Sequence, residues 1–147
     1  MAASEWEKPV AEAIAEKFLS VDGVKQAVAL GADNLTRLPG VLVLAPEFEL
    51  LERTGAHWLW QAIYPAYLIA PVLRTPRLTN NLLVGIVGRS RMAFGLSALN
   101  LGLSYVQDSI LSAGNPELFV LAGDDELPAY RFTIVTKVRE AISPTVA

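Results

Sequence analysis

Residues 130–140 read YRFTIVTKVRE, and their pattern decides the fold class. Tyr130, Phe132, Ile134 and Val138 fall on one side of an extended chain, with Thr136 in the same row. Arg131, Thr133, Lys137 and Arg139 fall on the other side, with Val135 as the exception. Two-residue alternation of this kind marks an antiparallel strand with one face buried and one face wet. Such a strand needs strand partners beside it and a layer over its apolar side.

The partners lie upstream. Glu117 to Ala122 predicts a strand, joined to the first by a loop over Gly123 to Pro128. Val41 to Glu52 (VLVLAPEFELLE) and His57 to Ala70 (HWLWQAIYPAYLIA) predict a second hairpin, turning at Arg53-Thr54-Gly55-Ala56. Pro46 and Pro65 interrupt these runs, and proline in a strand points to an edge or a bulge. Strands of about 12 and 14 residues exceed the usual 5–6. A hairpin over about 41–70 is therefore expected to project beyond the body or to bend over it. Val24 to Leu30 adds a short strand, and Leu35 to Leu38 one helical turn.

The covering layer is helical. Trp6, Val10, Ile14 and Phe18 recur at intervals of four, widened by Ala13 and Leu19, which predicts an amphipathic helix over about 5–19. Ser4-Glu5-Trp6-Glu7 matches the S-x-x-E capping box. A second helical stretch is expected from Asn80, with Thr79 as its cap. Gly85, Gly88, Gly95 and Gly102 cost about 1 kcal/mol each in one helix. A break near 95–102 and a further helix over 103–112 are therefore expected, ended by Gly114-Asn115-Pro116. The sum is a single domain over 1–147 of the α+β class. It has an antiparallel or mixed sheet, a long β-hairpin, and helices packed on one face.

Composition narrows the function classes. The chain has 147 residues, 52% of them hydrophobic and 18% charged, with a net charge of −3 and no cysteine. The apolar excess fits either a large core or surface covered by other copies or partners. The acidic balance disfavours a generic nucleic-acid binder. The absence of cysteine removes disulfides, thiolate metal sites and thiol nucleophiles. Residues 1–10 lack the apolar region of a secretory signal. The best membrane candidate, Leu82 to Val106, holds Arg89 and Arg91, and its uncharged remainder is shorter than the roughly 20 residues a span needs.

Little in the sequence points to catalysis. His57 stands alone beside a turn and reads as an ordinary strand-start residue, because local spacing supplies no acid or hydroxyl partner. Asp124-Asp125-Glu126 lacks the alternating ligands of a calcium loop and reads as a solvated hairpin tip. Neither glycine-rich phosphate motif occurs. The seven-residue spacing of Gly88, Gly95 and Gly102 fits a close helix approach or simple turns. Trp58 and Trp60 share a strand face with Tyr64, where aromatics serve cores and interfaces alike.

Charge is patterned. Arg74, Arg77, Arg89 and Arg91 fall in a stretch without acids, and Asp108, Glu117, Asp124, Asp125 and Glu126 follow in a stretch without bases. Two opposed patches suit head-to-tail assembly, which needs two different complementary surfaces on each copy. Arg74, Arg77, Arg89, Arg91, Asp124, Asp125, Glu126, Trp58 and Trp60 are the candidate interface residues.

The layout resembles the tail-terminator (tail-completion) proteins of tailed bacteriophages. The parallels are the N-terminal helix, the Leu38-Pro39-Gly40-Val41-Leu42-Val43 phrase leading into a long hairpin with Trp58 and Trp60, a helical segment, and a C-terminal strand pair. The resemblance implies a virion protein assembled in the host cytoplasm, with no catalytic residue, metal or cofactor. It implies a homo-oligomeric ring, a hexamer, that caps the tail tube (and the sheath, if the tail contracts) and meets the neck or head connector. The arginine run would face an acidic partner ring or, non-specifically, DNA in the lumen. Alternatives are another connector, neck or baseplate component, a small enzyme using His57 with a distant acid, or a membrane-associated protein.

Overall fold

A computed structural model describes residues 5–31, 35–95, 100–120 and 126–141. Among them are two helices and a six-stranded mixed sheet, so the chain is α+β. Helix α1 spans Glu7–Leu19, and strands β1 (Gln26–Ala29), β2 (Gly40–Val43), β3 (Glu47–Arg53) and β4 (His57–Ile69) follow. Helix α2 (Pro76–Ala93) and the long pair β5 (Val106–Val120) and β6 (Glu126–Ala141) complete the chain. The sheet order is β1-β2-β4-β6-β5, with β3 also paired to β4. Only β1 and β2 run parallel.

The alternation in 130–140 has the expected consequence. Phe132, Ile134, Thr136 and Val138 are buried, and the three apolar ones share one core with Val10, Ile14 and Phe18 of α1 and Leu83 and Ile86 of α2. Ala62, Tyr64, Ala66 and Leu68 of β4 join the same core, so both helices lie on one face of the sheet. Phe18 is its hub, stacked on Phe132 at 5.5 Å and packed against Phe94 at 4.9 Å. Fully burying side chains of this size contributes about 1.5–3 kcal/mol each relative to exposure. A smaller cluster of Leu35, Leu42, Ile69 and Ala129 covers part of the reverse face.

Several expectations change. Helix α1 begins at Glu7 with Trp6 as its cap residue and no side-chain capping bond, so Glu7 takes the first helical position and not the third position of a capping box. Ser4 lies outside the described residues. Residues 35–38 form no helical turn, because the Gln26 side-chain carbonyl accepts the Thr36 and Arg37 amides at 2.8 and 2.9 Å. Helix α2 starts four residues early. Thr75 caps it by accepting the Leu78 amide, Pro76 occupies the first turn where its missing N–H costs nothing, and Thr79 is buried and bound to the Leu73 amide. The helix runs through both Gly85 and Gly88.

The 41–70 segment is not a free-standing arm. Pro46 splits its first limb into β2 and β3, both paired to β4, and β4 is bonded to β6 from His57 to Ile69. Pro65 does not interrupt β4. Its carbonyl accepts the Leu44 amide at 2.9 Å, so its hydrogen-bonding edge faces the gap between β2 and β3, where a missing N–H breaks no ladder.

The expected helix over 103–112 is a turn and the start of β5, and Gly114-Asn115-Pro116 lies inside that strand. Pro116 is tolerated because β5 is an edge strand. Gly114 sits flat against Phe132, where a Cβ would come within 3.2 Å of the ring.

Candidate interaction surfaces

Helix α2 buries Thr79, Leu83, Ile86 and Ser90, one residue per turn. The opposite face therefore carries Arg77, Asn81, Val84, Arg91 and Met92, all exposed. Arg77 and Arg91 point the same way, about 21 Å apart at 1.5 Å per residue. Neither they nor Arg74 has a hydrogen-bond or ion-pair partner among the described residues. Arg89 differs. Its Nε donates to the Asp22 carbonyl at 2.8 Å, and its guanidinium lies over Gly23 and Gly85. Gly23 has a φ of +99°, open to glycine, and the arginine closes over that turn and ties it to α2. Arg89 is thus a structural clamp between the Asp22–Gly23 turn and α2.

Beside α2 lies an apolar groove. Helix α2 covers Phe132 and Ile134 but stops short of the β5–β6 end, leaving Pro116, Leu118 and Pro128 open on the same face. Two adjoining hollows result. One, of about 550 Å³, lies between Asn80, Leu83 and Val84 and the strand pair; the other, of about 360 Å³, lies among Val72, Leu73, Arg74 and Pro76. They share Asn80 and Pro128. Val72, Val84 and Leu118 are 69%, 60% and 62% exposed, which is high for neighbouring aliphatic side chains. Arg74 lines the rim, Arg77 stands in the adjacent first turn, and that turn holds no acid. Glu117 also lines the larger hollow, although the strand alternation directs its side chain to the reverse face, toward Tyr67. Burial first, then the Glu117 charge, push the Tyr67 phenol up against the opposing pull of Arg131.

The second surface is strand β3. All seven of its residues are exposed, and it pairs with β4 alone. Phe48, Leu50 and Leu51 alternate or bulge among Glu47, Glu49 and Glu52, with the register shift falling at Leu51. Glu49 accepts the Gln61 amide at 3.2 Å. Phe48 belongs to an aromatic row: it meets Trp6 at 5.9 Å and Trp60 at 5.3 Å, and Trp58 meets Trp60 at 5.8 Å. Trp60 donates to Glu140 at 2.9 Å. Trp58 and Trp60 are half-buried and flank β3 on the same sheet face as Phe48.

The nine sequence candidates do not converge. Arg74 lines the groove, Arg77 and Arg91 stand on the outer face of α2, Trp58 and Trp60 lie beside β3, and exposed Glu126 opens β6 at the far hairpin end. Asp124 and Asp125 lie outside the described residues. Phe48, Leu50 and Leu51 escaped notice as surface residues because a strand's alternation does not tell which face is covered. Leu118 and Val84 escaped because their meeting depends on contacts distant in sequence.

No described side chains assemble into a recognisable reactive set. His57 contacts Thr54 in its own turn at 3.4 Å. Among the described residues no three His, Asp or Glu side chains group closely enough for a metal ion, and no helix is long and apolar enough to cross a membrane. The most perturbed group is Tyr64. Burial foremost, then the Glu7 and Tyr105 charges, hold its phenol far above the ordinary range. It is a packed core residue whose hydroxyl donates to the Glu7 carbonyl at 3.0 Å. No protein-family model matches the sequence, and no curated protein is similar to it.

Proposed function

We propose that this chain is a structural assembly subunit, a tail terminator whose ring caps the tail tube, and the sheath of a contractile tail, and joins it to the neck or head connector. One observation carries the assembly part: two apolar surfaces, the groove and the Phe48–Leu50 stretch of β3, are exposed at separate ends of the helix-bearing face of the sheet. A monomer rarely leaves sizeable apolar patches in water without a use for them. Two unlike patches favour heterologous, head-to-tail contacts, which close into a ring when the rotation permits. The tail assignment rests on the resemblance in element order and on the LPGVLV phrase. The outward arginines, Arg77 and Arg91, suit an acidic partner ring or the lumenal DNA.

Electron microscopy of tail-tube subunits polymerising with and without the chain tests the proposal. The expected result is a ring at one tube end and shorter, uniform tubes. Tubes of unchanged length with bare ends would overturn the tail assignment.

A further inference from the structure

We infer that the sheet face turned away from the helices, along β4, receives the same face of a second copy across a two-fold axis. Where the outer face of an antiparallel sheet meets water, its outward positions are polar. Strand β4 departs from that pattern. Its core-facing residues are Ala62, Tyr64, Ala66 and Leu68, and the alternate positions read Leu59, Gln61, Ile63 and Pro65. Val135 of β6 stands beside Ile63 in the same row, and Ile110 of β5 beside Val135, so the apolar stripe crosses three strands. Ile110 is 48% exposed, and Leu59, Ile63 and Val135 are half-buried. The cluster around Leu42 and Ile69 reaches Tyr67 and Leu44 but no residue of this stripe. A strand apolar on both sides belongs between two layers. Among the described residues only the helical layer is present.

Charge selects a second copy as the other layer. The register sets three rows across β3, β4 and β6: Glu52, Leu59, Arg139; Glu49, Gln61, Lys137; and Glu47, Ile63, Val135. Acids thus flank β4 on one side and bases on the other. Glu52, Lys137 and Arg139 have no side-chain partner among the described residues, and Glu49 accepts the Gln61 amide at 3.2 Å. Asp108 lies beside Lys137 but accepts the Ser109 amide. Sheets stack face to face about 10 Å apart with their strands nearly aligned. A two-fold axis running along β4 keeps every row level and exchanges its two sides. Glu52 then lies over the second copy's Arg139 and Glu49 over its Lys137, twice per pair of copies, around an apolar centre at Leu59 and Ile63. An axis across the strands would set β3 acids over β3 acids, so the charges choose between the two arrangements. Glu47 meets no base in either.

The contact closes at two copies and uses neither the groove nor Phe48 and Leu50, so it is independent of head-to-tail assembly. In a ring it joins two rings back to back.

The test uses the full chain. One variant carries Glu49→Lys and Glu52→Lys, and the other carries Lys137→Glu and Arg139→Glu. All four side chains are exposed, and circular dichroism with thermal melts verifies the folds. Sedimentation across concentration reads the mass. Wild type is expected to double reversibly. Each variant alone sets like charges against each other and should associate more than about tenfold more weakly. Mixed, the two recover as a one-to-one pair, because each supplies the sign that the other has lost. A chain with all four substitutions pairs with itself again. Gln61→Cys puts a thiol on the axis of a chain that has no cysteine, and a bis-maleimide about 10 Å long should link two copies there.

A wild-type chain whose mass never doubles overturns the inference, as do variants that associate like wild type or a mixture that gains nothing over its parts. A single ring unaffected by either variant overturns it and leaves head-to-tail assembly standing.

Discussion

Replacing Arg89 with methionine is expected to loosen the fold and to leave assembly untouched. Methionine keeps the aliphatic stem and removes the guanidinium that lies over Gly23 and Gly85. What is lost is the bond from Nε to the Asp22 carbonyl at 2.8 Å. A hydrogen bond with a charged partner contributes about 1.5–3 kcal/mol, and competition from water at this exposed site brings it to about 1–2. For a domain of this size that is a fall in Tm of about 2–8 °C. Urea unfolding, below the concentration at which copies associate, measures it directly. Arg91→Met is the control, because Arg91 is exposed and has no partner among the described residues. It should stay within about 0.5 kcal/mol of wild type. If Arg89→Met is equally silent, the clamp is wrong. Gly23→Ala supplies a second probe of the same turn. Its φ of +99° disfavours a side chain, and a Cβ there meets the Arg89 guanidinium at 3.0 Å, so it too should destabilise.

Other expected outcomes concern the core and its titration. Phe18→Ala removes the ring between Phe132 and Phe94 and should cost about 3–5 kcal/mol in denaturant melts. Ser109→Val strands the buried Thr136 hydroxyl, its partner at 3.3 Å, at a cost of about 1–3 kcal/mol by the same measurement. The Tyr64 phenol is held above its ordinary value of 10.0, so the folded chain keeps a proton that the unfolded chain releases. That contribution to stability is fully present below about pH 10 and is lost as pH rises further toward the folded value. Tyr64→Phe should flatten the alkaline fall in Tm, and at neutral pH it should cost about 1 kcal/mol for the lost bond to the Glu7 carbonyl.

The elements legible in the sequence are those whose burial follows a simple period. Strand β6 alternates along a central position in the sheet, and α1 repeats its apolar residues every turn, so both could be read from local pattern. Strand β5 could not. Its pairing skips a residue between Val106 and Asp108 and again between Leu111 and Ala113, and each bulge moves the alternation to the other face. Gly114 and Pro116 then resemble a terminator, although one lies against a ring and the other sits on a free edge. Gly85 and Gly88 resemble helix breakers, but tertiary packing of Leu83 and Ile86 overrides propensity.

The interface residues were legible only in part. A charge run shows which side chains are basic, and only the folded chain shows that Arg89 bonds the Asp22 carbonyl while Arg74 borders an apolar hollow.

Native mass measurement of the wild-type chain across concentration tests the central claim most directly. Self-assembly through two unlike surfaces predicts a closed oligomer of discrete size, about six subunits if the ring is of the tail-terminator kind, dissociating as salt rises because the contacts are partly charged. A chain that remains a monomer at every accessible concentration and salt would contradict it.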